Sequence, residues 1–328
     1  MNLTTSYLGL ELKNPLIASS SRLTGDMETI VQCAEHGIGA VVLKSLFEEQ
    51  IRLEAEWKTK TGSASEYYYW FSEAKEKIVG LSRQEGLDRY LKFVEGVKKY
   101  TEIPVISSIN CTTAEDWPKF AKAIEQAGAD ALELNIAVFP FNASMECTGI
   151  EQIYTDILKE VKKEVNIPVS IKLGYYFTNL CAVARKLVDE GVDGLVLFNR
   201  YFRPDIDIET MKVISDSHLS SPEEIHIPMR WIALMKGNNI GCDLAASTGV
   251  HDYTGVVRQI LAGADAVQLC SALFLKGIPY IQTILEEMTK WMEKHRFETI
   301  ADFKGKSLKN QTMDASFERI QFMKRDYE

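Results

Sequence analysis

Two lysines, two asparagines and several small hydroxyl residues stand where this 328-residue chain ends its apolar stretches, and they are its best candidates for chemistry. Four near-repeats carry most of them: His36-Gly-Ile-Gly-Ala-Val-Val-Leu-Lys44, Ala127-Gly-Ala-Asp-Ala-Leu-Glu-Leu-Asn135, Glu190-Gly-Val-Asp-Gly-Leu-Val-Leu-Phe-Asn199 and Ala262-Gly-Ala-Asp-Ala-Val-Gln-Leu-Cys-Ser271. Each stops at a polar residue: Lys44, Asn135, Asn199 or Ser271. A further run, Ile167-Pro-Val-Ser-Ile-Lys-Leu173, adds Lys172. An ammonium beside a reacting group stabilises negative charge that arrives there. The plain alternatives are a structural ion pair for Lys172 and a solvated surface position for Lys44. Ser247-Thr-Gly249 and Cys270-Ser271 put small residues where backbone amides can approach a phosphate. Gly249 also suits an ordinary turn.

The elements that must position these residues follow from the same phrases. Each reads as a helix end, a glycine, a tight turn and a short strand, with glycine taking the left-handed conformation after a helix. Strands are predicted at 40–44, 131–135, 194–198 and 266–270. Ile103-Pro-Val-Ile-Ser-Ser-Ile109 and Ile167–Leu173 share a proline opening, tolerated at a strand's first residue. Cys242-Asp-Leu-Ala-Ala246 and Asn14-Pro-Leu-Ile-Ala-Ser19 complete eight. Helical spacing predicts helices at 114–127, 154–165, 180–190, 253–261 and 280–295. Short apolar strands alternating with helices give a parallel sheet, here a TIM (β/α)8 barrel in one domain spanning 1–328. No Gly-x-Gly-x-x-Gly follows the first strand, which disfavours a doubly wound sheet. In such a barrel the carboxyl ends of the strands carry the chemistry.

Residues 8–12 are expected to form a small hairpin under the barrel floor. Two connections, 46–88 with Tyr67-Tyr-Tyr-Trp70 and 200–238 with Pro204, Pro222 and Pro228, are too long for simple helices. Lids over the mouth and oligomer interfaces both suit them.

Hydrophobic content of 46% with 25% charged residues is that of a soluble globular protein. No apolar run is long enough for a bilayer, and the start lacks signal-peptide regions. Scattered cysteines fit a reduced cytoplasmic protein better than a disulfide framework or a zinc site, so no metal is expected. A net charge of −9 argues against nucleic acid as a general partner.

Placed on this frame, the strand-end segments resemble those of dihydroorotate dehydrogenases of the soluble class 1 branch. The matching segments are Asn14-Pro-Leu-Ile-Ala-Ser-Ser20, Val42-Leu-Lys-Ser45, Glu133-Leu-Asn135, Ile171-Lys-Leu173, Phe198-Asn199, Ser247-Thr-Gly-Val250, Gln268-Leu-Cys-Ser271 and Ala301-Asp-Phe-Lys-Gly305. The resemblance implies a barrel holding FMN. It places Lys172 at the flavin pyrimidine edge and Lys44 near flavin and substrate. Ala18, Ser19 and Ser20 fall beside the isoalloxazine ring, and Thr248, Gly249, Cys270 and Ser271 at the phosphate. Ser45, Asn135 and Asn199 also fall on the cofactor, and Lys44, Asn135, Asn199, Gly80, Leu81 and Asn142 on the substrate. A homodimer, a small-molecule substrate and no membrane contact are the implied associations; the electron acceptor stays open among fumarate, a quinone and NAD through a separate electron-transfer subunit.

The chain departs from that pattern where a base is needed. The family carries Asn-x-Ser-Cys-Pro-Asn after strand four, with the cysteine taking a proton from substrate. This chain reads Asn135-Ile-Ala-Val-Phe-Pro-Phe-Asn142, so the base position is Val138, which accepts no proton. The family's Asn-x-x-Gly-Leu-Pro-Asn becomes Lys77-Ile-Val-Gly-Leu-Ser-Arg83, keeping Gly80 and Leu81. The serine after Asn199 becomes Arg200, and a glycine-rich stretch between strands six and seven is absent. Cys147 is a substitute base by proximity, although an inert thiol is the commoner fate of a cysteine. His251 reads as a capping or surface residue. Three functions follow: dihydroorotate oxidation with hydride passing to FMN, an FMN oxidoreductase acting on another anionic substrate, or a barrel that binds flavin or a partner without turnover.

Overall fold

The computed structural model describes residues 1–48, 72–111, 116–138, 142–201, 203–215 and 219–308, and of 72–83, 215 and 308 the backbone alone. Its frame is a closed parallel barrel. The strands are β3 (Leu16–Ala18), β4 (Ala40–Val42), β6 (Val105–Asn110), β7 (Ala131–Asn135), β8 (Val169–Leu173), β9 (Gly194–Leu197), β12 (Asp243–Ser247) and β13 (Ala266–Leu269). They pair in the order β4-β3-β13-β12-β9-β8-β7-β6, and β4 closes on β6. The two-residue β5 (Leu46–Phe47) continues the second position, pairing Leu46 with Ile109. Each predicted strand is present within about two residues of its expected bounds.

Around the barrel lie α1 (Met27–Glu35), α2 (Ser72–Tyr100), α3 (Asp116–Gln126), α4 (Cys147–Glu164), α5 (Leu180–Asp189), α6 (His226–Gly237), α7 (Tyr253–Ala262), α8 (Ser271–Lys276) and α9 (Tyr280–His295). Helix α4 begins seven residues before the expected Tyr154. Its first turns, Cys147-Thr-Gly-Ile-Glu-Gln, are mostly polar and carry little periodic signal.

The four repeated phrases fold alike. Gly37, Gly128, Gly191 and Gly263 have φ of 91°, 92°, 87° and 111°, the left-handed turn a side chain resists. In three of them the aspartate has a further task. Asp130, Asp193 and Asp265 accept the backbone N–H of Val105, Val169 and Leu244, each at 2.7 Å. Each also pairs with a lysine of the helix that leads into that adjacent strand, Lys98, Lys162 or Lys236. These carboxylates fix where the adjacent strand begins, and so where it ends.

The expected floor hairpin is present as β1 (Thr5–Tyr7) and β2 (Leu10–Leu12). Tyr7, Leu8 and Leu12 pack against Ile17, Ala40, Val42, Ile106, Ala131, Val196, Ala245 and Ala266, a buried apolar layer inside the barrel. The Leu8 amide donates to Asp243 Oδ2 at 2.7 Å. Of the two long connections, residues 67–70 lie outside the described residues. The other contains a hairpin of β10 (Pro204–Asp207) and β11 (Lys212–Ser215), on which Ile206, Ile208, Met211 and Val213 are exposed. Its remainder, from Ser220 through the turn Pro222–Ile225 into α6, returns to the barrel. Among the described residues no helix is long and apolar enough to cross a membrane.

Candidate active site

Side chains alternate along a strand, so every second residue of a barrel strand faces inward. Two residues beyond the apolar layer, the same parity puts Ser19, Ser108, Glu133, Lys172, Ser247 and Gln268 at the mouth, all of them buried. Four of these are joined directly. Lys172 Nζ donates to Gln268 Oε1 at 3.0 Å and to Ser19 Oγ at 3.3 Å. Ser19 Oγ donates to the same Gln268 oxygen at 3.0 Å. Gln268 Nε2 donates to Glu133 Oε2 at 2.6 Å, and Glu133 Oε1 lies 3.9 Å from the Lys172 ammonium. Beside them, Ser20 and Ser45 hydroxyls are 3.0 Å apart, and Ser45 and Ser108 hydroxyls 2.7 Å apart.

Strands β12 and β13 end in a second polar cluster. Ser271 Oγ accepts from the Ser220 amide at 2.8 Å and from its hydroxyl at 2.9 Å. Ser220 Oγ is 3.2 Å from His251 Nε2 and accepts the Gly249 amide at 3.4 Å. Thr248 and Gly249 have φ of 83° and 80°. A Cβ at Gly249 would stand 2.2 Å from the Ile225 nitrogen, so only glycine fits against the turn that opens α6. Arg200 reaches the same turn, with Nε 3.1 Å from Glu224 Oε2, while Glu224 caps the Ser221 amide at 2.8 Å.

A cavity of about 220 Å³ lies between the two clusters. Of the residues read from sequence, Ser19, Ser20, Lys172, Asn199, Thr248, Gly249, Cys270 and Ser271 line it. Asn135 joins through Asn199, whose Nδ2 donates to Asn135 Oδ1 at 2.6 Å, and Ser45 joins through Ser20. Ala18 is buried within β3. Lys44 ends the second strand position but is exposed, its aliphatic chain against Gly25. Gly80 and Leu81 fall in α2, where side chains lie outside the described residues.

Other readings are separated from the cavity lining. Val138 is half-buried against the core. Asn142 is exposed, its Oδ1 accepting from the Ser144 amide at 3.0 Å and hydroxyl at 2.6 Å. Cys147 is exposed at the first residue of α4 and absent from the cavity wall. Cys270 does line the cavity, and burial raises its thiol pKa despite the opposing charge of Lys172. His251 is buried against Ser220 and not at the surface; Asp252 is the cap of α7. Burial also holds His251 below its usual value of 6.5.

Several site residues went unread. Ser220 sits in the stretch where no glycine-rich motif exists, so no motif pointed to it. Glu133 and Gln268 were legible by parity: each lies two residues after an inward alanine, Ala131 or Ala266. Tyr175 and Tyr176, 4.4 Å apart by ring centroids, follow β8, and Tyr176 lies 5.4 Å from Tyr201. The hydrogen bond from Tyr176 to Tyr175 and partial burial push the Tyr176 phenol to about 12.

Comparison with known proteins returns one family. The sequence model described as Dihydroorotate dehydrogenase matches residues 2–292. Among curated proteins, the chain is 27% identical over 312 residues to a dihydroorotate dehydrogenase B (NAD(+)) catalytic subunit of Thermoplasma acidophilum, covering 94% of this chain and 99% of that protein. A protein of the same name from Methanocaldococcus jannaschii is 28% identical over 301 residues, covering 89% and 94%. A third, from Bacillus mycoides, is 26% identical over 307 residues, covering 92% and 95%.

Proposed function

Because the chain belongs to the dihydroorotate dehydrogenase family, we propose that it is an FMN-dependent oxidoreductase whose barrel mouth oxidises a small anionic substrate. Dihydroorotate, converted to orotate in pyrimidine biosynthesis, is the first substrate to try. The observation that carries the reading is Lys172, an ammonium on a strand end that lines a cavity whose other end is a cluster of amides and hydroxyls.

The residues present fit FMN. Lys172 has three N–H donors and, among the described residues, two hydrogen-bond acceptors, Gln268 and Ser19. Gly249, free of a Cβ that would meet the Ile225 backbone, lines the cavity with Ser220, Thr248 and Ser271, where amides and hydroxyls can face a phosphate. When bound, FMN supplies the hydride acceptor. Lys172 would hold the ring's pyrimidine edge and stabilise negative charge arriving there. Thr248, Gly249, Ser220, Cys270 and Ser271 would hold the phosphate end. Ala18, Ser19, Ser20 and Ser45 would flank the ring. Lys44, Asn135 and Asn199 would face both ring and substrate, and Gly80 and Leu81 would contact the substrate.

Val138 favours a second reading, an anionic substrate other than dihydroorotate. A side chain with no proton acceptor stands where the family places its base, and Arg200 adds a cation to the cavity wall. The relatives' name as catalytic subunits supports a separate electron-transfer subunit as partner. The exposed apolar face of the β10–β11 hairpin suits contact with a second copy.

Anaerobic addition of dihydroorotate to FMN-loaded protein, followed by visible absorbance, tests both readings. Rapid bleaching supports dihydroorotate oxidation. A spectrum that stays oxidised overturns that substrate and leaves the second reading. Failure to retain FMN overturns the cofactor assignment.

A further inference from the structure

Glu133 is an acid inside the barrel mouth's buried hydrogen-bond network, and among the described residues its Oε1 has no hydrogen-bond partner. A buried carboxylate oxygen left without a donor is costly and calls for a compensating charge. That charge is Lys172, 3.9 Å away and too far for a direct hydrogen bond. Between the two stands Gln268. Its amide nitrogen donates to Glu133 Oε2 at 2.6 Å and its amide oxygen accepts from Lys172 at 3.0 Å. Only this orientation satisfies both neighbours, because a carboxylate accepts and an ammonium donates. Ser19 donates to the same oxygen at 3.0 Å and takes a second N–H of Lys172 at 3.3 Å. Glu133 and Gln268 are nearly inaccessible, at 1% and 2%, so water does little to screen the pair.

We infer that Glu133 and Gln268 are positioning residues that set how much of the Lys172 charge a bound flavin feels. This rests on the FMN reading above. Gln268 acts as a spacer: it gives the ammonium an acceptor and keeps it from closing on the carboxylate. Glu133 offsets part of the positive field, holding the flavin's reduction potential below the value a bare lysine would impose.

The two halves predict opposite shifts, read as the midpoint potential of the FMN-loaded protein. Glu133→Gln removes the offsetting charge, so reduced flavin is bound more tightly relative to oxidised. The expected change in that ratio is about tenfold, or about 30 mV upward for two electrons. Gln268→Met removes the spacer, the ammonium moves toward Glu133, and the potential falls. Glu133→Asp keeps the charge and restores a value near wild type.

Wild-type potential in Glu133→Gln protein that still binds FMN overturns the inference alone. Should Glu133→Gln fail to fold, Gln268→Met decides: a fall supports the spacer, and an unchanged or raised potential overturns it. Wild-type protein that holds no FMN overturns the parent reading and this one with it, which separates the two failures.

Discussion

Around the barrel mouth, Ser19, Glu133, Lys172 and Gln268 bond to one another across 96 to 249 residues of sequence. On the loops after β7 and β8, Asn142 bonds to Ser144 and Tyr176 to Tyr175, one or two residues away. The first side is buried and cross-linked by four strands. The second is exposed, and these two bonds are local. A change on the first disturbs several strands at once, whereas a change on the second stays in its loop. The segments that resemble the dihydroorotate dehydrogenases lie on the cross-linked side, and the break in that resemblance, Val138, lies on the local side.

The sharpest way to break this contrast is Lys172→Ala. It removes a charge that three strands hold in place, and flavin reduction is expected to fall by about 10²–10³-fold or flavin to be lost. Retained activity, measured by anaerobic reduction, would remove the cross-linked side from the site altogether.

Gly249→Ala comes next. Its methyl group would meet the Ile225 nitrogen at 2.2 Å on a backbone with φ of 80°. The expected cost is about 1–3 kcal/mol of stability, with weaker flavin retention, read by thermal unfolding with and without FMN. Ser271→Ala is milder: it removes the acceptor of the Ser220 amide and hydroxyl and should weaken FMN binding roughly tenfold, about 1.4 kcal/mol.

Acid offers a gentler probe of the same cluster. Burial lowers the His251 pKa, so below 6.5 the unfolded chain binds more protons than the folded one. The contribution of His251 to stability is complete above pH 6.5 and is lost as pH falls toward its folded value. Thermal unfolding between pH 7.5 and 5 should show the decline, and His251→Asn should flatten it. On the local side the smallest effect is expected. Cys147→Ala, at an exposed helix start away from the cavity, should leave flavin reduction by substrate within about twofold. Abolished turnover with flavin still bound would make Cys147 the base and bring the α4 start into the site.

The barrel was legible in sequence because its signals are local. Gly-x-Asp phrases end helices, proline opens strands, and short apolar runs lie between them. The strand-end residues Lys172, Asn199 and Ser271 were legible for the same reason. The pairing of Glu133 with Gln268 was not, since it joins strands 135 residues apart and only the closed barrel brings them together. Parity along each strand marks both as inward, yet parity names no partner. Ser220 and His251 were missed or misread because the segment from 219 to 225 crosses back over β12 and β13, a path no periodicity encodes. The start of α4 was placed late because its first turns are polar.

The floor hairpin has a consequence in time as well as in space. Tyr7, Leu8 and Leu12 seal the barrel from below, yet the groups that anchor them lie far along the chain. Leu8 is held by Asp243, 235 residues on, and Thr5 by the carbonyl of Asp265, 260 residues on. Contacts of such long span are slow to form, because chain entropy is spent before they repay it. Until β12 and β13 take their places, the hairpin has no ledge to rest on and the apolar layer above it stays open to water. The plug cannot be seated before those strands are in place, so the sealing of the floor reports that the barrel has closed.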